Sequence, residues 1–471
     1  MTTSKKREME SSATEERKKR KQEKLAAMKS GEWDRCMFRI VRKNRFCNME
    51  RINGALFCGN HLPADAQVSS KSSQQFKAEL RSRVPCPIDG SHTVYQYDLE
   101  KHLKVCNKTR DAEAAKALPY YSENINSGTH AVTTREELKA AEVSIEASDD
   151  TEKEHDGPTA QQEQSLIDKL AALDFADLVK RVNSAYDTCV GSIPTEKLRH
   201  SCCDALLTEK TAAGASRAAL RHIEQQASII GHMERAKLLD SKAAFLELGA
   251  GRGMLSLALA QTFPDSLYVL IDRAGSRGKA DHFIRDNMSD TSAHKVMRAK
   301  IDIRHLNLAG MKELVDMPIV GMSKHLCGVA TDLSLRAIAN TVPVPESHPA
   351  GVISPAFKGI AVALCCHHAC QWEDYSNPEF FLAQGFSAQE FPLLKGMTSW
   401  ATCAMQATGD TVEQVLGITK SDRAILGRKI KRILDAGRID YLKRLGLQTQ
   451  LVHYCEVDDS VENCLLLAWR A

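Results

Sequence analysis

Two consecutive sets of cysteine and histidine residues near the N-terminus constrain this chain more than any other feature. The sets are Cys36-x10-Cys47-x10-Cys58-x2-His61 and Cys86-x5-His92-x9-His102-x3-Cys106. Each offers four ligands of the kinds that bind Zn²⁺ tetrahedrally, in a segment with too few apolar residues to fold unaided. We predict a CCCH zinc finger over 31–62 and a CHHC zinc finger over 82–110. Because all four ligand positions are filled in each, both zinc ions are predicted to be structural.

The second set also predicts local structure. His102 and Cys106 are four residues apart, so a helix over Tyr97–Cys106 places both on one face, within reach of one ion. The region 31–110 holds 14 Lys and Arg against 8 Asp and Glu. The two fingers are therefore expected to be basic.

Composition divides the rest of the chain into three parts. Residues 1–30 form a charged arm with the run Arg17–Lys21; it is either a solvated helix or a nuclear address or nucleic-acid-binding arm. Residues 123–164 are acidic and Ser/Thr-rich, which predicts a flexible linker. Apolar residues at helical spacing begin at Leu166, so we place a large domain with an N-terminal helical extension at 165–471. No apolar run is long enough for a membrane span, and the charged N-terminus favours an intracellular protein, cytoplasmic and/or nuclear.

A glycine-rich turn opens the core of the large domain. The segment Phe245–Leu255, FLELGAGRGML, reads as an apolar strand, a turn with Gly249, Gly251 and Gly253, and a helix starting near Met254. Such a turn lets the backbone approach a nucleotide cofactor, and Glu247 before it favours S-adenosyl-L-methionine (SAM) over NAD. The strand 267–272 ends in Asp272, the candidate ligand of the cofactor ribose. A third carboxylate, Asp302, is a candidate for the adenine amino group.

Further strands at 318–323 and 359–365, and a closing hairpin at 451–457 and 464–469, predict an α/β fold. It is a Rossmann-like, mostly parallel sheet with helices on both faces, preceded by the two zinc-binding modules. Ligands in such folds bind beyond the carboxyl ends of the strands.

Ionisable residues concentrate at two of those strand ends. One is followed by SKHLCGVATDLSLR, with Lys324, Asp332 and Arg336, and the other by CCHHAC at 365–370. Two interpretations of CCHHAC stay open. It is either a third metal site from Cys365, Cys366, His367, His368 and Cys370, or an active-site wall in which a histidine or Lys324 handles a proton. Neighbouring residues leaving a strand point to opposite faces, which makes a compact metal cage awkward.

A basic segment lies near the C-terminus. Residues 421–446 carry eight Lys and Arg against three Asp and Glu. An apolar stripe of Ile425, Ile430, Ile433 and Leu434 predicts that the basic side chains face outward: Arg428, Lys429, Lys431 and Arg432. This face is either merely solvated or a surface that follows a phosphate backbone.

Taken together, these motifs resemble the eukaryotic tRNA 2'-O-methyltransferases that modify the fourth nucleotide of the acceptor stem. The resemblance covers about 33–122 and 166–471 and rests on the CCCH and CHHC sets, RHIEQQASI at 221–229, LELGAGRGMLS, KHLCGVATDLSLR, ALCCHHAC and LGRKIKRILDAGR. It implies SAM as methyl donor, tRNA as partner and a ribose 2'-hydroxyl as acceptor. Protein partners are not implied.

The resemblance does not assign the catalytic base. We predict Lys324 in that role, with Asp332 and Arg336 orienting it and His367 or His368 contacting ribose or phosphate. Two other classes of function remain as alternatives: a methyltransferase of a protein or small molecule, and a non-catalytic RNA-binding adaptor. Tyr120 and Tyr121 either stack on RNA or pack onto the large domain.

Overall fold

The computed structural model describes most of the large domain and the ligand residues of both predicted fingers. The described residues are 35–40, 45–47, 49–51, 56–58, 61, 83–88, 92–128, 160–273, 280–286, 296–342, 353–403 and 410–470. The predicted arm 1–30 and residues 129–159 of the predicted linker lie outside them. The chain divides into two compact units, one of 1–84 with 95–97 and one of 85–94 with 98–471.

The first unit contains a short hairpin. Strands β1 (Arg39–Ile40) and β2 (Arg45–Phe46) pair antiparallel. The Cys36 N–H donates to Met49 O, and the Cys47 N–H donates to Phe38 O. These bonds place the first two cysteines on the hairpin. A second two-stranded sheet, of β3 (Arg83–Pro85) and β4 (Thr93–Tyr95), precedes helices α1 (Leu99–Val105) and α2 (Asn107–Lys116).

A seven-stranded sheet organises the second unit. Its strands are β5 (Ala244–Leu248), β6 (Leu267–Asp272), β7 (Val296–Lys300), β8 (Ile319–Cys327), β9 (Phe357–Cys365), β10 (Gln448–His453) and β11 (Cys464–Trp469). They lie in the order β10-β11-β9-β8-β5-β6-β7. The five strands from β9 to β7 are parallel, whereas β11 runs antiparallel to β9 and pairs with β10 as a hairpin. The predicted parallel sheet and closing hairpin are confirmed.

The central strands form because their sequences are apolar on both faces. Every residue of β5 is buried, including Phe245 on one face and Leu246 on the other. Each face has its own hydrophobic cluster, so helices cover both sides as predicted. The remaining helices are α3 (Ala160–Ala171), α4 (Phe175–Cys189), α5 (Asp204–Ala212), α6 (Arg217–Arg235), α7 (Met254–Ala260), α8 (Asp281–Asp286), α9 (Val329–Thr341), α10 (Pro378–Ala383), α11 (Phe391–Met397), α12 (Trp400–Cys403), α13 (Asp410–Leu416) and α14 (Lys420–Arg444).

The prediction of an outward basic face on 421–446 is wrong for two of its four residues. Lys431 is buried and its Nζ lies 2.7 Å from Glu462 Oε1, while Arg432 is buried against Asp435. Arg428 is exposed, as predicted. The physical reason is that α14 packs against α4, α12 and β10 and is enclosed along its centre. Lys431 and Arg432 are therefore paired with carboxylates inside the protein.

Residues at both ends of the predicted linker, 123–164, belong to folded elements. Residues up to 128 pack on the sheet domain: Asn126 is fully buried and donates to the carbonyls of Ile303 and Leu306. Tyr120 joins the hydrophobic core, which decides in favour of packing for that side chain. At the other end, α3 begins at Ala160, ahead of the predicted Leu166. No helix in the described part of the chain is long and apolar enough to cross a membrane.

Candidate active site and metal centres

The four ligands of the predicted CCCH finger converge in the first unit. Cys36, Cys47 and Cys58 are buried. His61 Nδ1 lies 3.5 Å from Cys36 Sγ and 3.3 Å from Cys58 Sγ, and Cys47 Sγ lies 4.0 Å from Cys58 Sγ. Around a tetrahedral zinc ion with Zn–S near 2.3 Å, ligand atoms are separated by about 3.3–3.8 Å. The donor set and its spacing fit Zn²⁺.

The four predicted CHHC ligands also converge, entirely within the second unit. Cys86 and His92 are brought together where the Cys86 N–H donates to His92 O, while His102 lies within α1 and Cys106 directly follows it. The two sulfurs are 3.9 Å apart, His102 Nε2 is 3.3 Å from Cys86 Sγ, and the two Nε2 atoms are 2.8 Å apart. The two thiols and two imidazoles are the donor set of one tetrahedral zinc ion, and all four ligand atoms lie within 4.8 Å of one another. The predicted helix is present but begins at Leu99, after a 3₁₀ turn at Gln96–Asp98.

The glycine-rich turn lies between the ends of β5 and β6. The Gly251 N–H donates to Asp272 Oδ2 at 2.7 Å, so the predicted loop and the predicted ribose ligand are in direct contact. Gly249, Gly251 and Gly253 all have positive φ. A Cβ at Gly253 would lie 2.3 Å from a methyl of Leu270, whereas one at Gly251 would meet no atom of the described residues within 4 Å. The turn is thus packed against Leu270 at Gly253 and, among the described residues, open at Gly251, which fits a bound nucleotide.

Glu247 lies beneath this turn rather than in it. Its side chain is 4% exposed, and Oε2 accepts hydrogen bonds from the Ser256 N–H at 2.9 Å and from the Ser256 hydroxyl. Burial raises its pKa to about 7 despite these bonds. Glu247 therefore joins β5 to α7 and supports the turn from below, and a direct contact with the cofactor does not fit this position.

The third predicted carboxylate follows β7 at the same edge of the sheet. Asp302 accepts from the Arg304 N–H at 2.9 Å and begins a 3₁₀ turn. The neighbouring Arg298 donates to Gly251 O at 2.9 Å and to both carboxylate oxygens of Asp281. This guanidinium, which was not predicted, fixes the far side of the glycine turn.

Lys324 lies on β8, which continues to Cys327 instead of ending near Ser323. Its Nζ is 2.7 Å from Nδ1 of His222 on α6. The chain separates these residues by 102 positions. His222 lies inside the RHIEQQASI motif, but no local pattern indicated its proximity to Lys324.

The prediction that Asp332 and Arg336 orient Lys324 is wrong. Asp332 is 1% exposed and pairs with Arg438, 2.7 Å from Oδ2 to Nη2, while its Oδ1 accepts from the Ser376 N–H and hydroxyl. Arg336 donates to the backbone carbonyls of Asp374 and Tyr375. Both side chains therefore attach α9 to neighbouring elements. Helical spacing placed them on one face, but that face is directed into the protein.

His367 is also buried, and it does not reach a surface where ribose or phosphate could bind. Its Nε2 is 2.7 Å from Asp435 Oδ1, and both side chains are fully buried. Burial lowers the pKa of His367 despite this carboxylate. Burial would raise the pKa of Asp435, but His367 and Arg432 hold it below its usual range. His368 is half-buried in the same 3₁₀ turn, His367–Ala369, and its contact with ribose or phosphate stays a prediction.

These contacts define a buried charge cluster of Asp332, His367, Arg432, Asp435 and Arg438. Arg438 is central, since it donates to Asp332, to Asp435 and to Cys370 Sγ at 3.0 Å. The cluster joins α9, the turn after β9 and α14. Among these residues, Arg438 and Asp435 were not predicted, because they lie in the basic segment that was interpreted as a surface.

Three family models match the chain. Residues 224–469 match Methyltransferase TRM13, residues 34–62 match the CCCH zinc finger in TRM13 protein, and residues 83–107 match the U11-48K-like CHHC zinc finger. The two finger matches contain every ligand of the sets described above. The methyltransferase match contains the glycine turn, Lys324 and the buried charge cluster.

Curated relatives align along most of the chain. A Schizosaccharomyces pombe protein named tRNA:m(4)X modification enzyme TRM13 is 31% identical over 412 residues, 84% of this chain and 97% of its own. The Dictyostelium discoideum homolog is 31% identical, covering 78% of this chain and 70% of its own, and the human homolog 29%, covering 92% and 94%. Solved methyltransferases superpose only at a low TM-score, 0.25 for coclaurine N-methyltransferase at 11% identity over 66% of this chain and 95% of that one. The family assignment therefore rests on the sequence matches and not on the structural likeness.

Proposed function

Because the chain belongs to the TRM13 methyltransferase family, we propose that it methylates tRNA, using SAM as methyl donor. The acceptor is the ribose 2'-hydroxyl of the fourth nucleotide of the acceptor stem. The observation that carries the proposal is the family match over the sheet domain and both fingers, together with relatives named tRNA:m(4)X modification enzymes.

The open side of the glycine turn is where SAM would be held. Gly251 and Asp272 would contact its amino-acid and ribose parts, and Asp302 its adenine. When bound, SAM supplies an electrophilic sulfonium methyl group. The residues of this chain have to position the acceptor oxygen in line with that methyl and accept the hydroxyl proton.

Lys324 is the residue we propose for the proton. It lies at the carboxyl end of β8, next to the strand that carries the glycine turn, and a Cβ at Gly249 would lie 2.8 Å from the carbonyl oxygen of His325. The two strand ends are therefore in close contact. His222 Nδ1, 2.7 Å from Lys324 Nζ, orients the amine and can receive its proton. His222 is a positioning residue in this scheme, and Lys324 contacts the substrate.

The two fingers and the exposed part of the basic segment would contribute RNA affinity. The finger sequences are rich in Lys and Arg, which suits contact with phosphates. Arg428 remains available on α14, whereas Lys431 and Arg432 are used inside the protein. RNA affinity is accordingly expected to depend more on the fingers than on α14.

The test combines full-length protein, SAM labelled in its methyl group and tRNA from cells that lack this activity. We expect label in a 2'-O-methylnucleotide that maps to the fourth acceptor-stem position. Label on a base would keep the enzyme and overturn the acceptor. No label on RNA, with SAM binding intact, would favour a protein or small-molecule methyltransferase, and no SAM binding would favour the adaptor.

A pair of lysine variants tests the proposed base. Lys324→Ala should lower turnover by on the order of 10²–10⁴-fold, the usual contribution of a general base, with SAM affinity unchanged. Lys358→Ala is the matched control. Lys358 lies on the adjacent strand β9, near its amino end, and its Nζ donates to the Pro355 carbonyl at 3.4 Å. Equal turnover of the two variants would remove Lys324 from the mechanism.

A further inference from the structure

Three cysteines meet at the ends of β8 and β9, away from both fingers in sequence. Cys327 is the last residue of β8, Cys365 the last residue of β9, and Cys366 the next residue. Cys327 and Cys365 are register partners in the parallel pair, and their sulfurs are 3.6 Å apart. All three sulfurs lie within 4.8 Å of one another.

We infer that Cys327, Cys365 and Cys366 bind a third zinc ion. The closest comparison is within this chain. The sulfurs of Cys47 and Cys58 in the CCCH set are 4.0 Å apart and the two sulfurs of the CHHC set 3.9 Å apart, in segments that match zinc-finger families. The sulfurs of Cys327 and Cys365, 3.6 Å apart, have a similar separation. Two sulfurs around a tetrahedral zinc ion are about 3.8 Å apart.

The backbone is shaped to bring the three thiols together. Cys366 has φ of +51°, a left-handed conformation that is costly for a residue with a side chain and is concentrated at functional sites. Gly328, directly after Cys327, has φ of +52°, and a Cβ there would lie 2.8 Å from the backbone carbon of Ala369. The two turns after β8 and β9 are thus in direct contact, which only glycine permits.

The half-buried carboxylate of Glu462 lies next to the thiols, and one of its two oxygens has no partner among the described residues. Glu462 Oε1 accepts from Lys431 at 2.7 Å and from the Cys366 N–H at 3.4 Å. Its Oε2 is buried and has no hydrogen-bond partner among the described residues. Unsatisfied buried oxygens are uncommon in native proteins and call for an explanation such as an ion. Three thiols beside this carboxylate offer the kinds of ligand that Zn²⁺ takes in proteins.

The site differs from both fingers in coordination. Its three protein ligands leave the fourth position for water, substrate or the Glu462 carboxylate, as in zinc sites that are not closed. The ligand set also differs from a site built within CCHHAC. His367 is bonded to Asp435, and Cys370 accepts from Arg438, so neither belongs to the cluster. The third ligand is instead Cys327, at the end of the neighbouring strand β8.

Zinc binding at this site exchanges protons for the metal ion. Each Zn–S bond replaces an S–H bond, and the proton leaves to solvent. The inference stands independently of the proposed tRNA methylation, because it rests on the thiol geometry alone and its test does not measure activity.

The test is the zinc content of the full chain, purified under reducing conditions, saturated with Zn²⁺ and then desalted. Elemental analysis of zinc against sulfur is calibrated internally, since the chain holds 29 sulfur atoms in 15 cysteines and 14 methionines. We expect three zinc ions per chain for the wild type. Cys327→Ser and Cys366→Ser should each retain two. The matched control Cys189→Ser, whose thiol lies on α4 outside the three cysteine clusters, should retain three.

Two zinc ions in the wild type would overturn the inference, and so would three in both Cys327→Ser and Cys366→Ser. Replacement of zinc by Co²⁺ supports a second measurement on folded wild-type protein, which does not depend on how the variants fold. Thiolate-to-cobalt charge transfer should correspond to eight cysteine ligands, and five would contradict the third site. A Cys327–Cys365 disulfide, detected as two thiols lost to alkylation without reductant, would also overturn it.

Discussion

The pair of Asp332 and Arg438 allows a sharp test of the difference between a structural and a catalytic carboxylate. Asp332 Oδ2 accepts from Arg438 Nη2 at 2.7 Å and Oδ1 from Nε at 3.2 Å, and both side chains are 1% exposed. In Asp332→Asn the amide oxygen can still accept from Ser376. The amide nitrogen, however, would face Arg438 Nη2 as donor against donor, and the charge of the guanidinium would lose one of its two carboxylate partners.

The expected cost follows from burial. Breaking a buried ion pair while leaving one charge in place costs about 3–5 kcal/mol. At about 2 °C per kcal/mol for a unit of this size, the melting temperature should fall by roughly 6–10 °C. Asp332→Asn combined with Arg438→Met should cost less than the sum of the two single variants, because the second change removes the unpaired charge.

Tryptophan fluorescence during thermal unfolding is a suitable assay. Three of the four tryptophans, Trp372, Trp400 and Trp469, belong to the second unit and report on it. Glu379→Gln is the control. It breaks the ion pair between Glu379 and Arg444, which lies on α14 as Arg438 does. Both side chains of this pair are more than half exposed. That change should cost no more than about 1 kcal/mol. An unchanged melting temperature for Asp332→Asn, accompanied by lost turnover, would refute the structural role and restore a catalytic one.

Three further predictions concern the cofactor turn, the base and the CHHC finger. The folded pKa of Glu247, about 7, lies above its usual 4.5, so the folded state retains a proton between these values and stability falls as pH rises. The free energy of unfolding of Glu247→Gln should therefore exceed that of the wild type by a difference that grows from pH 5 to pH 8, by on the order of 2–3 kcal/mol; a pH-independent difference would contradict this. His222→Asn, which keeps an acceptor near Nδ1, should retain more methyl transfer than His222→Ala and a pH profile nearer the wild type; equal profiles would exclude a positioning role. Cys106→Ser should lose one zinc ion and bind tRNA more weakly with SAM affinity unchanged, whereas undiminished tRNA binding would show that this finger does not contact RNA.

The fold was predictable where the pattern is local and strong. The strands that read as continuous apolar runs, such as Phe245–Leu248 and Leu267–Ile271, are central and buried, and the glycine turn follows the first of them. The amphipathic interpretation of 421–446 failed because α14 is buried on several sides. Along its centre, from Ile430 to Arg438, the helix has no solvent face, so the alternation of apolar and basic residues there no longer indicates what faces outward.

The zinc ligands and the glycine turn were determined by sequence alone, because their partners are close along the chain and the turn geometry is set by the residues themselves. Other contacts were decided by the order of strands in the sheet. His222 and Lys324 are 102 residues apart, and Asp332 and Arg438 are 106 apart. Cys327 meets Cys365 across 38 residues because β8 and β9 are neighbours. Residue types restrict what a side chain can do, but only packing decides whether a charged group faces solvent, a substrate or another buried charge.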